Sequence, residues 1–497
     1  MKVKYLLTAV AIVVLAQNSF AQYSQDAVLF STGQTGSTSR IKAIGNTQTA
    51  VGGDLSSISG NPAGIGFFTH SEAAFTPEYN SSNIKSTYLG TANSGTSSNL
   101  NLNNAAAVFY SRLNTPRGSD KTQGWLSLNF GVSFNRKNDF YANVNYGGKN
   151  NNNSITDYYA SLANTYGVDP TNGNSLQDWA YNHALIDQYY INPSNPSLGA
   201  TYRGNAKPGV TQSNAMQREG GENEFSLSMG ANYSNKLYLG LGIGITSLRY
   251  NVDNTFTESG AASILDANNN PINVTYTSVY NQNQVTTGDG FNARLGLIYK
   301  PVDAVRIGAT FTTPTYYTVQ DDYSESLRTQ YNVGAPGPGG PADYPFTYNF
   351  HTPLKVSGGM AVFFGSYGFI TADAEYVDYS SVKLSSTDGY DATQDNHDIK
   401  TGYQSTANIH AGGELRLDQL FIRGGYNIQG NPQKGVESTK TISGGLGVRF
   451  EKFYVDATFT NVKGTQLVTP YTVATNTPVA NLDKTYNNGY LTVGFRF

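Results

Sequence analysis

The sequence contains no cysteine. That excludes disulfides, thiolate metal sites, a cysteine nucleophile and a lipid-modified cysteine anchor. Charge is scarce too. Asp, Glu, Lys and Arg make up 13% of the 497 residues, about half the usual share. The net charge is −3 and no basic run offsets it, so no nucleic-acid partner is expected. Beyond the first twenty or so residues no apolar run is long enough for a spanning helix. The mean hydropathy of −0.38 excludes a helical membrane protein. It does not exclude a membrane barrel, whose strands alternate apolar and polar residues. His70, His183, His351, His397 and His410 have neither metal-ligand spacing nor a Ser/Asp constellation around them. "GAPGPGG" at Gly334 lacks the Lys-Ser/Thr of a phosphate cradle. The acidic stretch "DATQDNHD" (Asp391 to Asp398) is read as a solvated loop. No metal, no cofactor and no enzymatic activity are expected.

What is abundant is tyrosine (36 residues) and glycine (53 residues). With little charge, these suit strands and polar turns rather than helical bundles. The N-terminus has its own signature. "MKVK" is a positive n-region, "YLLTAVAIVVLA" an apolar h-region, and "SFA" a small-x-small site before Gln22. Residues 1–21 therefore read as a signal peptide cleaved after Ala21.

From about Glu72 onward the chain alternates in period two. In "KPVDAVRIGATFT", Val305, Ile307, Ala309 and Phe311 oppose Arg306, Gly308 and Thr310. "LYLGLGIGI", "NARLGLIY", "FITADAEY", "TISGGLGVRF" and "FYVDATF" repeat the pattern. A soluble sandwich also alternates. The connections separate the two readings. Short turns ("SNK", "KPVD", "GSY", "RLDQ", "FEK") alternate with long segments at roughly 253–288, 321–351, 381–402 and 463–484. Tight turns on one side and long loops on the other are the layout of an outer-membrane barrel. Fourteen strands are expected: 71–80, 104–113, 124–136, 222–234, 237–252, 289–300, 304–320, 352–364, 368–380, 403–416, 419–429, 440–450, 453–462 and 486–497. The even number puts both termini in the periplasm. The last strand ends on Phe497, the usual closing residue of bacterial outer-membrane barrels and the expected contact for the barrel-assembly machinery.

The expected fold is thus all-β: a fourteen-stranded antiparallel transmembrane barrel in the outer membrane, over residues 71–497, facing membrane lipid. A lumen of that size is not filled by its own side chains. Residues 22–70, rich in Gly, Ser, Thr and Ala, are expected to fold back as a plug, with "NPAG" as its last compact turn. Inward-facing charges such as Arg294, Arg306, Asp373, Glu414, Arg423 and Asp456 are expected to form a salt-bridge network between wall and plug. One arginine there would suit a carboxylate. The longest loop, 137–221, carries two short helical segments, with Ser175 as an N-cap. Trp179, His183 and Ile186 fall near one face. They mark either a hydrophobic landing site for substrate or a lid packed on itself.

At "RIKAIGNTQTAVGGDLSSISGNPAGIGFF" the chain resembles the FadL family, outer-membrane transporters of long-chain fatty acids and related hydrophobic compounds. Asp54, Asn61, Pro62 and Ala63, followed by Gly64, occupy the positions of the family's plug motif. "VRIGATFTTPT", "TPLKVSGGMAVFF" and "FIRGGYNIQGNP" look like family strands. The resemblance implies passive import of a hydrophobic small molecule of the fatty-acid class. Substrate moves through a lumen pocket and leaves sideways through a kink in the wall. The third strand is the place the family suggests, and there Asn129 and Gly131 are candidates to bend it, or members of an ordinary strand. The Asn- and Tyr-rich long loop departs from the family, so substrate identity does not carry over. Two other readings stand beside this one: a structural or adhesive barrel acting through its surface loops, and a general porin, against which the plug argues.

Overall fold

The computed structural model describes residues 20–114, 120–171, 173–190, 194–195, 200–266, 268, 270–386 and 391–497. The first nineteen residues of the expected signal peptide lie outside them. Among the described residues, fourteen antiparallel strands close into a barrel. They are β1 (Glu72–Tyr88), β2 (Thr91–Phe109), β3 (Trp125–Asp139, continued by Ala142–Asn150), β4 (Val210–Tyr233), β5 (Leu237–Leu265), β6 (Pro271–Val302) and β7 (Val305–Thr312, continued by Tyr316–Tyr331). Then follow β8 (Gly339–His351 and Lys355–Phe363), β9 (Gly368–Asp378 and Lys383–Ser386), β10 (Ser405–Leu417), β11 (Leu420–Gln429), β12 (Thr439–Arg449), β13 (Phe453–Val468) and β14 (Ala480–Arg496). Each strand pairs with its neighbours in sequence. The ring closes where β1 meets β14, with Ala73 opposite Phe495.

The faces of the strands are inverted relative to a soluble sheet. Leu239, Leu241, Ile243 and Ile245 on β5 are exposed, while Glu224, Ser226, Asn292 and Arg294 on β4 and β6 are buried. An apolar outside with a polar inside is what lipid around a barrel selects. Exposed aromatics edge the apolar band: Trp125, Tyr233, Tyr299, Phe450 and Phe453 near the short turns, and Tyr79, Phe291, Tyr316, Tyr376 and Phe459 at the other edge. No helix among the described residues is long and apolar enough to cross a membrane.

Two of the expected long loops, 253–288 and 321–351, are largely strand. β5 and β6 run on until Leu265 pairs with Pro271, and β7 and β8 fill most of 321–351. The 32 residues of β6 make about 100 Å of strand, against the roughly 25 Å that the band requires. Outside the membrane both faces of a hairpin can be polar, so pairing continues after the alternation that reveals it has stopped. In the long loop, α1 to α5 being numbered in chain order, α3 (Ile155–Tyr166) and α4 (Leu176–Asn182) form where helices are expected. The other helices are α1 (Phe20–Ser31), α2 (Ser39–Ala43) and α5 (Thr393–Gly402). α5 replaces most of the expected acidic loop at 391–398.

Residues 32–70 lie inside the ring as a plug made of α2 and two short 3₁₀ turns, Leu55–Ile58 and Pro62–Phe67. Inward-facing glycines let its backbone dock. A Cβ added at Gly230 would lie 2.7 Å from the Pro62 carbonyl oxygen, and one at Gly240 would overlap the Pro62–Ala63 peptide. By contrast, a Cβ at Gly358 on β8 meets nothing. Gly240→Val is expected to lower the unfolding free energy by about 1–3 kcal/mol through overpacking, with protease cutting within 32–70, whereas Gly358→Val leaves both unchanged. Thermal unfolding and limited proteolysis of the folded barrel check this.

Candidate substrate path

The plug motif is a set of backbone satisfactions. Asn61 caps the second 3₁₀ turn: its side-chain oxygen accepts from Ala63 N at 3.1 Å. Its amide donates to Thr49 O at 2.6 Å and shares its protons with Leu297 O (3.2 Å) and Ala309 O (3.3 Å), on the β6–β7 seam. One side chain thus ties the plug to itself and to the wall. Pro62 opens the turn where no N–H is needed. Gly64 N donates to Asn61 O, and Gly64 O accepts from Gly53 N at 3.0 Å. Asp54 caps the first 3₁₀ turn, accepting from Ser56 N at 3.0 Å and from Thr38 Oγ1 at 2.8 Å.

The expected charge network is present. Glu414 on β10 accepts from Arg40 of the plug (2.8 Å), Arg416 (3.0 Å) and Arg423 (2.7 Å). Asp456 on β13 takes Arg423 (2.6 Å) and Arg449 (2.8 Å). Asp373 on β9 accepts from the Gln48 and Thr49 amides at 2.7 and 2.8 Å. Arg306 departs from expectation. It lies between the rings of Phe67 and Phe363, 4.2 Å from each centroid, and donates to Val51 O. Arg294 is engaged by Glu224 at 2.6 Å.

The wall is interrupted between β2 and β3. These strands pair from Asn104–Asn135 to Phe109–Phe130, and Ser111 to Leu113 carry the bonding on to Leu128 and Leu126. Beyond Asn104, β2 stays bonded to β1 but not to β3. β3 shifts register between Arg136 and Asn138, breaks at Phe140 and Tyr141, and resumes alongside β4. The interruption is bounded at its far end where the Asn143 amide donates to Thr96 O at 2.7 Å. Plug and side chains fill it. Gly36 lies against the backbones of Asn103 and Arg136, too close for any side chain. The Asp139 carboxylate accepts from the amides of Asn80 (3.0 Å), Asn99 (2.9 Å) and Asn101 (2.6 Å), spanning β1, β2 and β3.

The kink is therefore in the third strand but not at Asn129 or Gly131. Asn129 donates to Ile65 O (2.9 Å) and Phe68 O (3.0 Å), and Gly131 makes room for Ile58. Both sit in regular register, because their task is to receive the plug. The kink falls instead in "NRKNDF" (Asn135 to Phe140), a polar run that stops the period-two alternation; that interruption was the available signal.

Trp179, His183 and Ile186 are buried, in a cap with Tyr159, Leu162, Phe256 and Tyr276. They do not form a surface landing site. The expected helix ends at Asn182, and Ile186 begins a short hairpin (Ile186–Tyr190 with Ala200–Gly204). Ser175 and Asp178 form the capping box. His183 Nδ1 lies 3.0 Å from Thr329 Oγ1, and burial holds its imidazole below the ordinary range. Glu258 on the projecting part of β5 receives Ser154 Oγ (2.5 Å) and Ile155 N (3.0 Å), which fixes α3 to the hairpins.

Between plug, α1 and wall lies a cavity of about 120 Å³, lined by Gln34, Lys137, Arg294, Lys355, Glu375 and His410 among others. Sites that enclose drug-sized ligands usually offer about 300–1,000 Å³. This cavity is smaller than that.

A ring of antiparallel strands with a lipid-facing apolar band, a docked N-terminal plug and an interrupted wall defines a plugged outer-membrane β-barrel. The fold is that of the FadL family. The chain is similar to a Pseudomonas aeruginosa FadL homologue at 14% identity over 94% of this chain and 100% of that one, with a TM-score of 0.54. It is similar to the P. putida toluene transporter TodX at 13% identity over 93% and 99%, with a TM-score of 0.51. No family model and no curated protein sequence matches the chain.

Asn61→Ala removes a cap and leaves the Thr49 carbonyl without its amide. The expected cost is about 1–3 kcal/mol, read as a lower denaturation midpoint and faster plug proteolysis, with barrel assembly intact on a heat-modifiability gel.

Proposed function

We propose that the chain passively imports hydrophobic small molecules, long-chain fatty acids among them, across the outer membrane. The observation that carries this is the interrupted wall between β2 and β3, stopped by the plug rather than by strand pairing. A water-filled pore does little for a molecule that prefers apolar surroundings. A sideways exit delivers it into the membrane. In this reading substrate passes the cap, enters the lumen from the hairpin end, and leaves where Gly36 and the Asp139–Asn cluster now stand. The protein acts without catalysis. The names of the similar structures, a FadL homologue and a toluene transporter, support this substrate class.

The same reading takes residues 1–21 as a signal peptide cleaved after Ala21, 22–70 as the plug, and the hairpins as extracellular. It takes Phe497, whose ring is exposed beside the closing seam, as the contact for barrel assembly.

The test is uptake of labelled oleate by cells lacking their own fatty-acid transporter. Expression of the chain should raise uptake well above background. In the Asn101→Cys/Asp139→Cys variant, a short bis-methanethiosulfonate linker across the gap should return uptake to background, and reduction should restore it. Uptake that persists in the linked form would place the exit elsewhere.

A further inference from the structure

Where the lipid-facing band gives way to the hairpins, the outward face of β11 to β1 is built in three tiers. The pairing register sets them, because residues directly opposite across strands share a height. The lowest tier is Gly424, Gly444, Phe459, Gly489 and Tyr79, in that order around β11, β12, β13, β14 and β1. Phe459 and Tyr79 stand out from the wall, 57% and 53% exposed. Beside them the wall is bare. A Cβ at Gly424 or Gly489 meets nothing, and one at Gly444 comes no nearer than 3.9 Å, to Arg423 O. A furrow therefore runs past the Phe459 ring on either side.

The middle tier carries hydroxyl and amide groups. Tyr426, Asn461, Asn487 and Ser81 lie in register there, with Ile442 among them. The Asn461 amide donates to Asn487 Oδ1 at 2.8 Å. The upper tier is charged. Lys440 on β12 is directly opposite Lys463 on β13, and both are exposed on the outward face. Like charges so placed repel. Among the described residues neither ammonium has a hydrogen-bond or ion-pair partner. Lys85 on β1 stands two strands further round, opposite Asp483 on β14. Glu437, three residues before Lys440, is the other acid in this stretch. Two residues of strand separate successive tiers, so the lysine pair lies about 13 Å along the strands from Phe459.

We infer that this face holds a phosphorylated, multi-chain glycolipid of the outer leaflet: Lys440 and Lys463 bind a phosphate of its head, and its acyl chains lie in the furrows beside Phe459. This places the hairpins outside, as above, and holds whatever the lumen carries.

The order of the tiers matches the order of groups in such a lipid: chains, then ester and sugar oxygens, then phosphate. A phosphate between the two ammonium groups turns their repulsion into attraction, and lysine serves phosphate as a point charge. Other occupants fit less well. A symmetric contact with a second copy centred here would set lysine against lysine. The polar tier crosses five strands, about 19 Å, which the head of a two-chain phospholipid does not span.

The test titrates lipid A with two phosphates and six acyl chains into the purified protein in non-ionic detergent, read by native mass spectrometry. Lys440→Gln/Lys463→Gln should weaken binding at least tenfold. Lys149→Gln/Lys207→Gln, which removes the same charge far out on the hairpins, should change it less than twofold. Gly444→Leu/Gly489→Leu, which fills the furrows, should weaken binding about fivefold, with assembly intact on a heat-modifiability gel. Without lipid, Lys440→Gln/Lys463→Gln should unfold no lower than wild type, because a repulsion is gone; saturating lipid A should reverse that order. Equal binding by wild type and Lys440→Gln/Lys463→Gln, or equal binding of dephosphorylated lipid A, would overturn the phosphate site. Phosphatidylglycerol binding as tightly as lipid A would overturn the glycolipid assignment. Displacement of lipid A by millimolar inorganic phosphate would make this a free-anion site and overturn the assignment as well.

Discussion

Everything in this molecule follows from one constraint: a ring of fourteen strands encloses more space than its own side chains fill. The space must be filled by polypeptide, and polypeptide brings N–H and C=O groups that are costly to leave unpaired. The solution is a shallow inner wall. Where Gly230 and Gly240 face inward, the plug backbone comes within contact distance of the strand backbone. Where its polar groups still lack partners, inward side chains supply them, as Asp373 does for Gln48 and Thr49. The low content of charged residues is then understandable. Across the apolar band charge is concentrated in the interior, where Glu414 and Asp456 each hold more than one arginine, while lipid outside tolerates almost none.

The interruption at β2–β3 uses the same logic in reverse. An open sheet edge beside lipid would leave a row of unpaired groups. Here the loss is limited because plug backbone and amide side chains stand in for the missing ladder. Asn103 donates to Ser37 O, and Asp139 gathers three asparagine amides. A gap closed by side chains and a separable segment is a weaker closure than one made by strand pairing. That difference in strength is what allows a wall to hold and also to yield.

The barrel, its strand number and the plug were legible because lipid and lumen impose opposite chemistry on alternate residues, and "RIGATF" or "LGLGIGI" writes that alternation plainly. The Asn-Pro-Ala turn was legible because its cap is local, Ala63 N donating to the Asn61 side chain, although the wall carbonyls that Asn61 also reaches are far off in sequence. Three things were not. The hairpins beyond the membrane have no apolar face, so β5 and β6 look like loop past residue 252. Gly131 and Asn129 were open to two readings, a bend or an ordinary strand, because their partner, the plug, is distant in sequence. Trp179 and Ile186 were open to two readings, a landing site or a lid, because their cover, Phe256 and Tyr276, comes from the strand extensions that the alternation does not reveal. In each case the missing information was a non-local contact.

The closing seam carries a last consequence, for biogenesis. β1 pairs with β14, Ala73 against Phe495, so the first and last strands of the wall find each other only when the chain is complete. The plug precedes β1 and ends up encircled. A contact of that sequence separation forms slowly, and until it forms, two strand edges stand open. During that interval the plug has to be inside already, because a finished ring admits a folded segment far less readily than an open sheet wraps one. Asn61 and Arg40, which bind strands from both halves of the barrel, make the plug a template around which the two halves curl.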